Sequence, residues 1–308
     1  MNKRYNSYVG YFKEKYGKRL QKIVIDAGFS CPNRDGSIAS GGCTYCDNSA
    51  FHPSYSSPDK TIFEQIETGI EFHKRRYRTA EQYLAYFQSF SNTYAPLEHL
   101  RNVYGQALSH PAVVGVVIGT RPDCIDSEKL DYLQSLSKTK IVILEYGIET
   151  IYDKTLSRIN RGHTFAQAVD AVNETAKRGI HQGAHFILGL PGETREEMMG
   201  MVHEINKLPL QSIKFHQLQI VKGTAMEREF EQKPNDFVQF KLDEYIDFFI
   251  DFLELLRPDI YIERFAGEVP PRFVNSTPWG LVRNAGLLHM LDKRLEERDT
   301  FQSRLYKP

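Results

Sequence analysis

The chain has 308 residues, 41% hydrophobic and 12% aromatic, which is enough for one large core without a second domain. Its 39 Lys and Arg balance 39 Asp and Glu, so bulk charge argues for no particular partner. Only four cysteines are present and three lie between positions 31 and 46, a pattern that reads as metal-binding or catalytic rather than as a disulfide framework. No apolar run approaches the roughly 20 residues of a bilayer span, and the N-terminus is charged where a secretory signal would be apolar. A soluble cytoplasmic protein with no membrane partner is expected.

Residues 1–21 form a basic, aromatic arm. Lys3, Arg4, Lys13, Lys15, Lys18 and Arg19 face only Glu14, with Tyr5, Tyr8, Tyr11 and Tyr16 interleaved. Such an arm either packs on the domain or tracks phosphates and stacks bases. Beyond it, apolar runs predict strands over Lys22–Ile25, Gln82–Phe87, Val113–Ile118, Lys140–Tyr146, Gly183–Leu188 and Ser212–Gln219. Helical periodicity fills the gaps at Thr61–Tyr77, Leu97–Leu108, Glu128–Leu136, Thr164–Arg178, Thr194–Lys207 and Asp236–Leu256.

Strands alternating with helices imply a parallel sheet with right-handed crossovers. Six units are too few for a closed eight-stranded barrel. The expected fold is a partial (β/α)6 barrel of parallel strands with outer helices, spanning 22–257, and a doubly wound sheet is the alternative. Residues 258–308 are expected to cover the open side. In either architecture, ligands gather at the carboxyl ends of the strands.

The segments after those ends carry the candidate chemistry. The first strand leads to Cys31, Cys43 and Cys46, with Gly41 and Gly42 preceding the Cys-x2-Cys pair. Thiolates favour zinc or iron–sulfur centres. Three ligands leave one iron of a four-iron cluster open to a cofactor, whereas His52 would complete a Cys3His zinc site. The second strand leads to Gln88, Ser89 and Asn92, and the third to Gly119-Thr120-Arg121-Pro122-Asp123-Cys124. After the fourth come Glu149, Arg158 and Arg161, and after the fifth Gly189-Leu-Pro191-Gly-Glu193-Thr194. His216 lies on the sixth, pointing toward substrate or buried in the core. Cys124 is either a buried thiol or an aid to substrate chemistry. His73–Arg78 is a second basic patch, and Trp279 is expected in packing.

The loop ending in Cys43-Thr-Tyr45-Cys46 resembles the radical S-adenosylmethionine (SAM) superfamily. Its wide Cys31–Cys43 spacing is similar to the branch containing the catalytic subunit of elongator. Asp26-Ala-Gly-Phe and Cys31-Pro-Asn-Arg-Asp-Gly resemble the bacterial YhcC/YtqA (MnmL-type) group. The resemblance implies a 4Fe–4S cluster on Cys31, Cys43 and Cys46 that cleaves SAM reductively. It places Tyr45, Glu149, Arg161, Gly189 and Pro191 around SAM, with Glu149 on the ribose, Arg161 on the methionine carboxylate and the Gly189–Thr194 loop beside the adenine. Gln88, Ser89, Thr120 and Arg158 are further SAM candidates, and Cys124 and His216 are substrate candidates. A low-potential donor of flavodoxin or ferredoxin type is implied, with tRNA as partner. The implied substrate is a modified wobble uridine, 5-carboxymethylaminomethyluridine taken toward 5-aminomethyluridine. The alternatives are radical chemistry on a small metabolite or another macromolecule, and a zinc-stabilised RNA-binding module without catalysis.

Overall fold

The computed structural model describes residues 3–50, 52–76, 80–275, 279–280 and 282–308. The predicted helix end at Tyr77, the basic Arg78, and Pro278 of the segment expected to cover the open side lie outside the described residues. Seven strands form one sheet: β1 (Leu20–Ile25), β2 (Gln82–Phe87), β3 (Val113–Thr120), β4 (Ile141–Glu149), β5 (His181–Leu188), β6 (Ser212–Gln217) and β7 (Tyr261–Arg264). All pair in parallel and in chain order. A doubly wound sheet needs a reversal of strand order, and none occurs. The sheet therefore curls one way into a partial barrel, with seven strands instead of the expected six.

Helix α1 (Tyr8–Tyr16) precedes β1. The crossovers carry α2 (Ile62–Arg76), α3 (Leu97–Leu108), α4 (Ser127–Ser137), α5 (Asp153–Arg158), α6 (Phe165–Lys177) and α7 (Arg195–Ile205). Between β6 and β7 lie α8 (Ala225–Gln232) and α9 (Leu242–Leu255), and α10 (Asn284–Glu297) follows β7. The long predicted helix from Asp236 is thus shorter, and α8 precedes it. Thr164 and Thr194 open α6 and α7 with capping boxes to Gln167 and Glu197.

Alternation along each strand sorts residues into two faces. On β4, Val142, Leu144, Tyr146 and Ile148 join the outer core under the helices. Ile143, Glu145, Gly147 and Glu149 occupy the opposite positions, which face the lumen. On β6 the outer set is Ile213 and Phe215, and Lys214 and His216 alternate with them. Phe215 packs edge-on against Phe249 of α9 at a centroid distance of 4.8 Å.

The arm packs as part of this fold. Ser7 bridges Ile262 of β7, and α1 then leads into β1, so the arm links the sheet's two edge strands. Tyr8 and Phe12 are buried against Leu20, Leu84, Tyr86, Val117 and Ile143, closing the floor of the lumen. Each such ring contributes about 1.5–3 kcal/mol of burial. Tyr11 hydrogen-bonds His181 at 3.1 Å, and Tyr5 stacks edge-on with Phe265. In the C-terminal segment, Gly267–Pro270 borders the lumen and α10 packs along α9 through Arg294–Asp247 and Arg298–Asp251 pairs. Trp279 donates to the Phe240 carbonyl at 2.8 Å, a packing role.

Candidate active site

A cavity of about 670 Å³ runs through the lumen to the carboxyl ends of the strands. Cys31, Cys43, Tyr45 and Cys46 border it together with Gln88, Thr120, Arg121, Glu149, Arg161 and His216. The loop after β1 is held there by backbone hydrogen bonds, within itself and to the turn after α5. Gly42 N donates to the Asn33 carbonyl at 2.8 Å, Cys46 N to the Cys43 carbonyl at 3.0 Å, and Thr44 N to the Ile159 carbonyl at 3.0 Å. Gly41 and Gly42 take φ of 80° and 82°, which a side chain would strain. Asn33, fully buried, donates through Nδ2 to the Arg161 carbonyl at 2.8 Å and lies 3.5 Å from Cys43 Sγ.

Arg161 is the second organiser. Its Nη2 donates to the Gly147 carbonyl at 2.6 Å and lies 3.3 Å from Glu149 Oε1, and its Nη1 approaches Cys43 Sγ at 3.6 Å. Nε is buried without a partner among the described residues. β4 bulges between Gly147 and Glu149, and Glu149 takes φ of 71°, a conformation that costs about 1–3 kcal/mol and gathers at functional sites. A Cβ on Gly147 would lie 2.5 Å from Arg161 Nη2 and 2.6 Å from Glu149 Oε1, so only glycine leaves this cradle open.

Burial, then the neighbouring Cys43, pushes the Cys46 thiol up to about 11, so a metal must displace its proton on binding. Burial, then the charge of Glu149, keeps the Tyr45 hydroxyl protonated. The three cysteines are free thiols that border this one cavity. Among the described residues, no group of three or more His, Cys, Asp or Glu converges to chelate a single ion. His52 is engaged elsewhere: Nε2 meets Ser89 Oγ at 2.6 Å and Nδ1 faces Asp26 at 3.5 Å. The donors therefore suit iron–sulfur ligation better than Cys3His zinc.

The other candidates divide clearly. Thr120 Oγ1 is tied to Ser91 at 3.0 Å and Thr93 at 2.6 Å beside the cavity. Arg158 turns away, donating to Glu229 at 2.8 Å and pairing with Asp236, and does not border the cavity, so of these two arginines Arg161 is the one that does. Gly189 lines an adjacent apolar cavity with Leu218, Phe237 and Trp279, and Pro191 borders neither. Cys124 is buried outside the lining, and burial raises its thiol to about 11. Ser89 is likewise buried behind His52.

A charged network deeper in the lumen escaped the sequence reading. Lys22 contacts Glu145 and, at 2.6 Å, Glu263. Lys214 meets Glu145 at 2.9 Å and Glu263 at 3.0 Å, and donates to Tyr86 at 3.1 Å. His185 Nε2 meets Glu145 at 2.9 Å. Despite burial, the two lysines hold Glu145 well below the usual carboxylate range. The signal was a charge in the middle of each of three strands, at Lys22, Glu145 and Lys214. Arg121, named in the segment after the third strand but given no role there, donates to the Arg161 carbonyl at 2.6 Å while paired with Asp123.

Comparison with known proteins agrees with this geometry. The Radical SAM superfamily model matches residues 35–205, and a Radical_SAM C-terminal domain model matches residues 210–297. The Bacillus subtilis protein YtqA is 34% identical over 310 residues, covering 99% of this chain and 94% of YtqA. A tRNA uridine(34) acetyltransferase of Dehalococcoides mccartyi is 22% identical over 63% of this chain and 41% of its own. The solved Methanocaldococcus infernus Elp3 with an N-terminal deletion shares the fold with a TM-score of 0.69 at 14% identity, covering 92% of this chain. This chain spans 64% of that structure's length. Among the described residues no helix is long and apolar enough to cross a membrane. With a family model over more than half its length and a full-length relative above 30% identity, the chain belongs to the radical SAM superfamily.

Proposed function

We propose that this radical SAM enzyme modifies a wobble uridine of tRNA, taking 5-carboxymethylaminomethyluridine toward 5-aminomethyluridine. Members of the superfamily work with a 4Fe–4S cluster and SAM. When bound, this pair supplies a carbon radical able to remove hydrogen from an unactivated C–H bond, an electron coming from a low-potential donor of flavodoxin or ferredoxin type. Cys31, Cys43 and Cys46 would each hold one iron. Arg161 would orient the methionine carboxylate through its guanidinium fork, and Glu149 would accept from the ribose hydroxyls. The walls of the lumen would exclude water from the reacting centre.

The observation that carries the chemistry is the meeting of three free thiols with the Arg161–Glu149 cradle on one cavity. The tRNA substrate is supported by the relative that acts on tRNA uridine(34), and by the cationic Arg19 and Arg34 bordering the same cavity. Tyr5 and Tyr8 are committed to packing, so RNA contact falls to that border instead of an aromatic platform. Mass spectrometry of tRNA nucleosides from a deletion strain tests the reading. Accumulation of 5-carboxymethylaminomethyluridine is expected, and an unchanged nucleoside profile would remove the tRNA assignment while leaving the radical chemistry standing.

A further inference from the structure

The lumen network is balanced except at one residue. Lys22 and Lys214 are matched by Glu145 and Glu263, each lysine touching both carboxylates. His185 and His216 are kept neutral by burial and by the neighbouring Lys214 and Arg264 cations. Arg264 remains. It stands opposite Lys214 in the β6–β7 register and borders the cavity. Among the described residues no carboxylate lies in ion-pair range of it. Its Nη2 lies 3.0 Å from His216 Nδ1 and 3.2 Å from Nε2, and its Nε is buried without a partner among the described residues.

A half-buried guanidinium with an idle N–H, set against a neutral imidazole, is costly to keep unless something answers its charge. The planar fork matches a carboxylate, and the neutral His216 offers one ring N–H beside it. The wall over this corner is held in place: Gln217 and Gln219 donate to the Gly267 carbonyl at 3.1 and 3.3 Å, and Gly267 N donates back to Gln217 at 2.7 Å. Gly267 also leaves room for the imidazole, since a Cβ there would lie 3.1 Å from His216 Nδ1.

We propose that Arg264, together with His216, forms the subsite that receives a carboxylate carried by the substrate, and so selects anionic substrates. The assignment rests on the reading that the substrate's reacting group enters this cavity. It makes Arg264 a binding and specificity residue and assigns it no part in bond cleavage.

Binding to the full-length protein tests it without turnover. Three RNA stem-loops are used, identical except at the wobble base: 5-carboxymethylaminomethyluridine, its carboxamide and plain uridine. Phosphate contacts cancel across the set. Wild type should prefer carboxylate over carboxamide by about 10- to 100-fold, the range of a charge-assisted hydrogen bond. Arg264→Gln should bring that ratio to about one, and Arg264→Lys, which keeps the charge without the fork, should keep only part of it. Thermal melts establish that each variant folds; if Arg264→Gln does not, the Lys variant decides, and a wild-type ratio in it overturns the assignment. A ratio that survives in folded Arg264→Gln overturns it too, with the tRNA reading intact. If wild type treats all three stem-loops alike, the tRNA reading fails. The subsite is then judged by calorimetric titration with malonate and N-methylglycine against their amides. Millimolar carboxylate binding lost in the variant sustains the subsite, and no binding to wild type overturns it.

Discussion

Glu193 offers a prediction whose size can be worked from the structure. Its side chain is 2% exposed in the turn between β5 and α7. Thr150 Oγ1 donates to Oε1 at 2.6 Å, while Oε2 has no hydrogen-bond partner among the described residues. Burial outweighs the hydrogen bonds and raises the carboxyl from 4.5 to about 7. Between those values the folded chain holds a proton that the unfolded chain has released. Stability should therefore fall as pH rises from about 4.5 to about 7, and stay flat above, where both states are ionised. The gap corresponds to about 3 kcal/mol lost by pH 8. Glu193→Gln removes the titration, keeps an acceptor for Thr150, and offers an N–H to the nearby Thr155 hydroxyl, itself unpaired among the described residues. Urea unfolding of the metal-free protein at pH 5 and pH 8 reads the effect. The stability of Glu193→Gln relative to wild type should rise by about 2.5 kcal/mol between the two, the remainder having been lost below pH 5. Parallel pH profiles for the two proteins would refute an ionising, desolvated Glu193.

Three further expectations follow from packing and charge. Gly147→Ala pushes a methyl into the Arg161–Glu149 pair, so SAM affinity measured by equilibrium dialysis should fall at least tenfold, with about 1–3 kcal/mol of overpacking cost in unfolding experiments. Arg158→Ala breaks half-exposed pairs with Glu229 and Asp236 and should cost about 1 kcal/mol or less without changing SAM binding, whereas Arg161→Ala should abolish that binding. Lys214→Met strands part of the Glu145 charge and should cost about 3–5 kcal/mol, much of it recovered when Glu145→Gln is added; additive losses in that double-mutant cycle would argue against the pairing.

Much of the barrel was legible because apolar strand runs alternate with periodic helices, and the loops after those strands carry the site. β7 was not, since Tyr261–Arg264 is four residues long and half charged, and it counts as a strand only through pairing with β6. β4 runs three residues past its predicted end because Gly147 lets it bulge into the cradle, a feature that depends on Arg161 lying beside it. The resemblance favoured Arg161 with Arg158 as the alternative, and the two sit on opposite sides of one short turn that leaves only Arg161 on the cavity. The lumen charges were visible one at a time, but their pairing depends on strand register, which the chain does not write out locally. The arm's tyrosines were equally ambiguous until the barrel floor gave them something to fill.

The cluster assignment is tested most directly by iron and sulfide analysis with electron paramagnetic resonance, after anaerobic reconstitution of wild type, Cys43→Ala and Cys124→Ala. Wild type and Cys124→Ala should each carry about four irons and give a reduced-cluster signal, and Cys43→Ala should lose both. One zinc per chain, or a full iron complement retained in Cys43→Ala, would contradict a cluster held by Cys31, Cys43 and Cys46.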